Sequence, residues 1–334
     1  MAGEQGFWLT ADNGSSYYNL LSGGARAITY LQRIRIAPGR NNTRISTTIS
    51  GKGANTTLLV VPVTMYGIFQ DSTSLAVDTV GVNSITVSGS VVTVNFNTYS
   101  VGVDIGGTTD NGWFLFDVYE TINPTDSSYG FFIPDGTNFT GITDATRAGY
   151  CVYRTTVTLG NGGTWTVPAS VQGRANCSVF ANWNSATAVV EYTNNNKTIY
   201  VSGGSVTLNI AVFSNGFALT MPEYGFYLFN NSGQCTFNSA YIPMFIKNTV
   251  TVSGTSASTG VTRPMVCLGI YGGDSKKESG MNWSFYNRGL IMSGSNIRSS
   301  RGKQTLLADT GGYQAVLPIA SVPIVVLDGE QYFN

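Results

Sequence analysis

The chain contains no histidine, so any acid–base chemistry falls to its carboxylates. The densest acidic run is Asp104, Asp110, Asp117, Glu120 and Asp126. Two carboxylates can hydrolyse a glycosidic bond without an imidazole. Asp117 and Glu120 test that idea, because they share the alternating stretch Trp113-Phe-Leu-Phe-Asp-Val-Tyr-Glu120. Side chains three apart on a strand leave from opposite faces, so these two do not converge on one substrate. Asp135-Gly-Thr-Asn138 with Asp144 comes nearest to an oxygen cage for a metal. It lacks the spaced acids of a calcium loop and reads as a turn.

Gly160-Asn161-Gly162-Gly163 is glycine-rich, but strand-like residues 155–159 and 164–167 flank it. A phosphate cradle leads into a helix, so this segment is expected to be a hairpin turn. Cys151, Cys177, Cys235 and Cys267 form no C-x-x-C pair. The acidic start Met1-Ala-Gly-Glu-Gln5 carries no signal peptide, which favours free buried thiols over a Cys151–Cys177 disulfide. No catalytic residue, cofactor or metal ligand is therefore assigned, and the chain is expected not to be an enzyme.

The elements around these residues are strands. Glycine supplies 40 of 334 residues and charged residues only 11%, a composition of tight turns with little material for solvated helix faces. Val, Ile, Thr, Tyr and Phe dominate the rest and suit a pleated surface. No apolar run is long enough to span a membrane as a helix.

Three segments share one layout. Gly6-Phe-Trp-Leu9, a turn at Asp12-Asn-Gly14 and a strand from Ala27 to Ile36 open the first. Tyr129 to Ile133, Asp135-Gly136 and Tyr150 to Leu159 open the second. Tyr224 to Leu228, Asn230 to Gly233 and Pro243 to Val252 open the third. Each continues with a middle strand: Leu58 to Phe69, Cys177 to Trp183, or Met265 to Tyr271. Ile85 to Phe96 and Ile199 to Ile210 then match as hairpins around Ser-Gly turns, with the third counterpart within Ser284 to Leu307. The expected fold is all-β: three tandem β-sandwich-like domains over residues 1–124, 125–221 and 222–334, variant copies of one repeat.

The formal net charge is zero, but its signs are segregated. Arg26, Arg33, Arg35, Arg40, Arg44 and Lys52 occur without an intervening acid, and the next nine charged residues, Asp71 to Asp144, are all acidic. Residues 263–303 carry seven basic residues against Asp274 and Glu278. Solvated faces explain this, and so do complementary surfaces that orient subunits. Arg33, Arg35, Arg40, Arg44, Lys276 and Lys277 are the candidate contact residues of the second reading. Trp183 and Trp283 sit beside turn residues and are expected to be exposed aromatic anchors. The modest basic total argues against nucleic acid as a partner.

The repeated opening resembles small tail proteins of tailed bacteriophages, encoded beside the host-specificity gene of long-tailed phages. The likeness lies in Gln5-Gly-Phe-Trp-Leu9 with Asn13-Gly14, in Tyr224-Gly-Phe-Tyr-Leu-Phe-Asn-Asn231, and in the closing Tyr313 to Ile324. It implies a structural component of the tail tip or an attached fibre. Other tail proteins and further copies of the chain would be its partners, and the virion, assembled in the bacterial cytoplasm, its location. A receptor- or carbohydrate-binding tip protein, contacting a host surface receptor or glycan, is the alternative.

Overall fold

The computed structural model describes residues 8–11, 16–19, 26–37, 43–53, 56–70, 77–99, 114–121, 130–135, 138–143, 149–214, 217–221, 223, 225–229, 233, 235–280, 282–309 and 323–333. Two short 3-10 turns, Arg174–Asn176 and Gly329–Gln331, are the only helical pieces among them. The rest of the regular structure is antiparallel strand, as the β-branched and aromatic composition requires.

Each third of the chain is built to one plan. It opens with a two-stranded hairpin: Trp8–Ala11 with Ser16–Asn19, Gly130–Asp135 with Asn138–Thr143, and Tyr227–Phe229 with Cys235–Asn238. Three inner strands follow, and in each case the last inserts between the other two. The triplets are Arg26–Ile36, Phe114–Thr121 and Thr57–Thr64; Tyr150–Leu159, Val206–Ser214 and Ser178–Asn182; and Phe245–Thr251, Pro323–Asp328 and Pro264–Cys267.

The outer sheets repeat as well. Arg44–Thr48, Val91–Tyr99, Val77–Ser88 and Tyr66–Gln70 lie side by side in the first segment. Ala257–Ser258, Asn296–Asp309, Asn282–Ser293 and Gly273–Ser279 take the same order in the third. The second supplies three strands, Thr164–Thr166, Thr198–Ser202 and Val189–Thr193, which continue into those of the third through Val190 and Leu290 as one seven-stranded sheet. The fold is thus three sandwich-like copies of one repeat.

The three inner triplets join edge to edge. Phe180 and Ala181 pair with Cys267 and Val266, and Phe245 and Ile246 pair with Ala27 and Arg26. The result is one nine-stranded sheet. Five inter-strand steps separate Ser178–Asn182 from Phe114–Thr121, roughly 24 Å on a flat sheet. Yet the Ser178 hydroxyl donates to Asp117 at 2.8 Å, so the sheet is rolled round until these strands face each other.

Rolling gives the sheet two buried faces. Val179, Ala181, Ile210, Val212, Val266 and Ile324 point outwards and pack against the outer sheets. Phe180, Ala211, Phe213, Met265, Cys267, Val325 and Leu327, their neighbours in sequence, point inwards to a second core shared by all three segments. Burial on both faces explains the nearly continuous apolar run of Phe114–Thr121, whereas Arg44–Thr48, on an outer edge, alternates. The C-terminal turn is drawn into the inner core. Tyr332 packs edge-on against Phe213 with ring centroids 5.2 Å apart. Its hydroxyl accepts from the Phe245 N–H at 3.0 Å and donates to the Pro243 carbonyl at 2.9 Å.

Two expected hairpins are corrected. Thr198–Ser202 and Val206–Ser214 do not pair with each other: the first joins the outer sheet, the second the inner one. The same holds for Tyr150–Leu159 and Thr164–Thr166 around Gly160 to Gly163. Both connections are arches between layers, because the inner strand of each pair has two faces to bury and a hairpin within the outer sheet would bury one. In the first segment the matching Ser-Gly turn does close a hairpin, Val77–Ser88 with Val91–Tyr99. The hairpin sought within Ser284 to Leu307 is Asn282–Ser293 with Asn296–Asp309.

Candidate functional site

Asp117 is fully buried and faces the second segment. Arg33, its cross-strand partner, donates from Nε at 2.7 Å and Nη2 at 2.8 Å. The remaining Arg33 hydrogen bonds go to Asn194 Oδ1 at 3.1 Å and the Cys177 carbonyl at 3.3 Å. Burial and the Asp117 charge push the Tyr30 hydroxyl up to about 12. Lys197 lies close by in a left-handed conformation, φ 56°, donating to Asn194 and to the Ala175 carbonyl. Burial, followed by the Arg33 charge, lowers its pKa to about 8.

Glu120 leaves from the opposite face, as strand geometry requires, and accepts from the Gly53 N–H at 2.9 Å and Thr56 at 2.7 Å. Glu191, also fully buried, accepts from Asn287 at 3.0 Å and the Lys303 N–H at 3.0 Å. Burial raises its pKa, and these two donors partly offset the rise. Each of the three carboxylates is thus bound to internal donors. Among the described residues no three potential ligands gather for a metal ion; the side chains of Asp135 and Asp144 lie outside the described residues. All four cysteines are free, and burial raises the Cys177 and Cys267 thiols.

Arg33, expected at a contact surface, is corrected by this geometry. Its side chain is 9% exposed, because an arginine facing the inner core must lie against a counter-charge. The basic and acidic segments meet within the chain at this pair. Arg35 and Arg44 are exposed, and Arg40 lies outside the described residues.

Lys276 and Lys277 are exposed on Gly273–Ser279, at the edge of the third outer sheet. Lys276 pairs with Glu278 at 2.8 Å. On the neighbouring strands Asp274 holds Arg288 at 2.9 Å and Arg301 at 3.1 Å. Arg301 lies 4.8 Å over the Tyr286 ring and Lys303 5.2 Å over that of Tyr200. The basic stretch is therefore a face of interleaved cations and aromatic rings, with Leu307 standing 60% exposed beside it. Trp283 belongs to this sheet, half-buried, its indole N–H without an acceptor.

Trp183 is not the exposed anchor expected from its neighbours. It is 2% exposed, because the chain turns it onto the outer core where Ser178–Asn182 ends. It stands in the wall of a cleft of about 550 Å³ between the second and third segments. There the inward-facing rows of the rolled sheet change from apolar to polar. Phe180 gives way to Asn182, Ala211 to Asn209 and Thr207, and Met265 to Arg263. Thr158 pairs with Thr207 across the ladder, hydroxyl to hydroxyl at 2.8 Å. Asn182 donates to the Pro264 carbonyl at 2.8 Å, and Asn184 accepts from the Gly294 N–H at 3.0 Å. Arg263 Nη1 holds the Phe333 carbonyl. The hydroxyls of Ser205 and Thr262, on the rim, have no partner among the described residues.

No short motif marks this cleft. The available signal is positional: polar residues take over the inward parity of three neighbouring strands at one end, and that parity is visible only once the strands are paired.

The architecture defines a class, an all-β chain of three sandwich-like copies around a shared inner core. The chain belongs to a family of unknown function (DUF6453), whose model matches residues 6–313. No curated protein and no solved structure matches it.

Proposed function

We propose that this chain is a structural component of a bacteriophage tail, at the tip or an attached fibre. It assembles through protein–protein contacts with other tail proteins and with copies of itself. One observation carries the reading: the buried carboxylates are bound to internal donors, in a scaffold whose three copies are locked together by a common sheet. What such a molecule offers outwards is surface, notably the cation-and-ring face around Lys276, Tyr286 and Arg301, with Lys277 exposed on the same edge strand. Imaging purified virions at side-chain resolution tests this, with density for the chain expected in the tail. Virions that lack the chain altogether would refute it.

A second reading, a receptor- or carbohydrate-binding protein of the tail tip, is favoured by the polar cleft beside Trp183. Saturable binding of the isolated protein to host cells is its signature.

A further inference from the structure

We propose that the cleft between the second and third segments binds a short neutral oligosaccharide. The inference rests on the second reading above and names its site. Mouths of rolled and barrel-like sheets are a common place for ligands, and about 550 Å³ falls in the usual size range for one.

The chemistry of the wall selects the ligand class. Asn182, Asn184 and Asn209 offer amides, and Thr207, Ser205 and Thr262 offer hydroxyls. Amides and hydroxyls both donate and accept, which matches sugar hydroxyls that do the same. Among the described residues no carboxylate lines the cleft, so they offer no negative charge to draw a cation or a basic peptide. Arg263, the one cation among the described lining residues, already holds the Phe333 carbonyl, and these residues form no cluster of positive charge for a phosphate or a polyanion.

Part of this wall is pre-ordered. Asn209 accepts from Thr156 at 2.8 Å and donates to Asn182 at 3.4 Å, and Asn182 in turn holds Pro264. The amides are thus held in place before a ligand arrives, which lowers the entropy lost on binding. The rim supplies the unmatched groups: the Ser205 and Thr262 hydroxyls, the Asn184 Nδ2 and the remaining Arg263 nitrogens.

The test uses the full chain with di- to tetrasaccharides of glucose, galactose, mannose and N-acetylglucosamine. Sialylated and uronic-acid counterparts are included, and binding is read by saturation-transfer NMR. At least one neutral saccharide is expected to bind. Thr262→Trp and Ser205→Trp place bulk in the cleft from exposed positions with no internal bond, so circular dichroism and the melting temperature should stay unchanged. Each should weaken saccharide binding by about tenfold or more. Neutral-saccharide binding that both variants leave intact overturns the site while the receptor reading stands. Binding of acidic saccharides alone overturns the ligand class. Saturable binding to host cells without any saccharide binding overturns the glycan and keeps a receptor, and absence of both removes the receptor reading as well.

Discussion

Replacing Arg33 by Met should destabilise the protein far more than the loss of a surface ion pair. Asp117 is fully buried and takes two charge-assisted bonds from Arg33, at 2.7 and 2.8 Å, and a third from Ser178 at 2.8 Å. Without the guanidinium, only the Ser178 hydroxyl faces the carboxylate charge. Orphaning a buried charge in this way costs about 3–5 kcal/mol. For 334 residues the unfolding entropy is about 0.7 kcal/mol per kelvin, so a chain that unfolds as one unit loses roughly 4–7 °C in Tm. Asp117→Leu alone should cost about as much, by stranding the guanidinium. The double variant Arg33→Met/Asp117→Leu should recover at least half of either loss, because an apolar pair of similar volume replaces a buried ion pair at little net cost. Urea unfolding of the four proteins gives the double-mutant cycle. Single variants that lose less than about 1 kcal/mol, or losses that simply add, would refute the claim that Arg33 and Asp117 form a coupled buried pair.

Three further outcomes follow from the packing. Tyr332→Phe removes the hydroxyl that satisfies the Phe245 N–H and the Pro243 carbonyl; a loss of about 1–3 kcal/mol in urea unfolding is expected. A Cβ at Gly273 would meet the buried Tyr66 ring at 2.0 Å, so Gly273→Ala should cost about 1–3 kcal/mol through overpacking between the first and third segments. Glu191 has a folded pKa above its ordinary 4.5. Its contribution to stability is therefore fully present below pH 4.5 and is lost as pH rises through the raised value. Urea midpoints across that window should show this slope in the parent and not in Glu191→Gln.

The fold class was legible because composition and alternation act locally. Strong β-formers, glycine turns and scarce charge leave few alternatives, and the repeated hairpin-then-strand opening recurs in all three segments. Which strands pair was not legible from the same signals. Ile85 to Phe96 and Ile199 to Ile210 look alike in sequence, yet one closes a hairpin and the other arches between layers. The difference lies in how many faces each strand buries, and that depends on neighbours distant in the chain. Arg33 and Asp117 illustrate the same limit: segregated charge was visible, but not that the two ends of the pattern lie opposite each other on paired strands. Trp183 looked exposed because asparagines flank it, while its direction is set by the end of the preceding strand. The cleft was out of reach for the same reason, since its residues come from five separate stretches.

Covalent linkage of the three copies has a consequence that a homotrimer could not share. Identical subunits around a symmetry axis must present the same contact at every seam. Here the seams differ: a serine bound to a buried carboxylate between copies one and two, a glycine beneath a tyrosine ring between one and three, and paired strands beside an open polar mouth between two and three. Joined in one gene, each copy is free to diverge, so a recessed feature can exist once per molecule while the remaining seams specialise in cohesion.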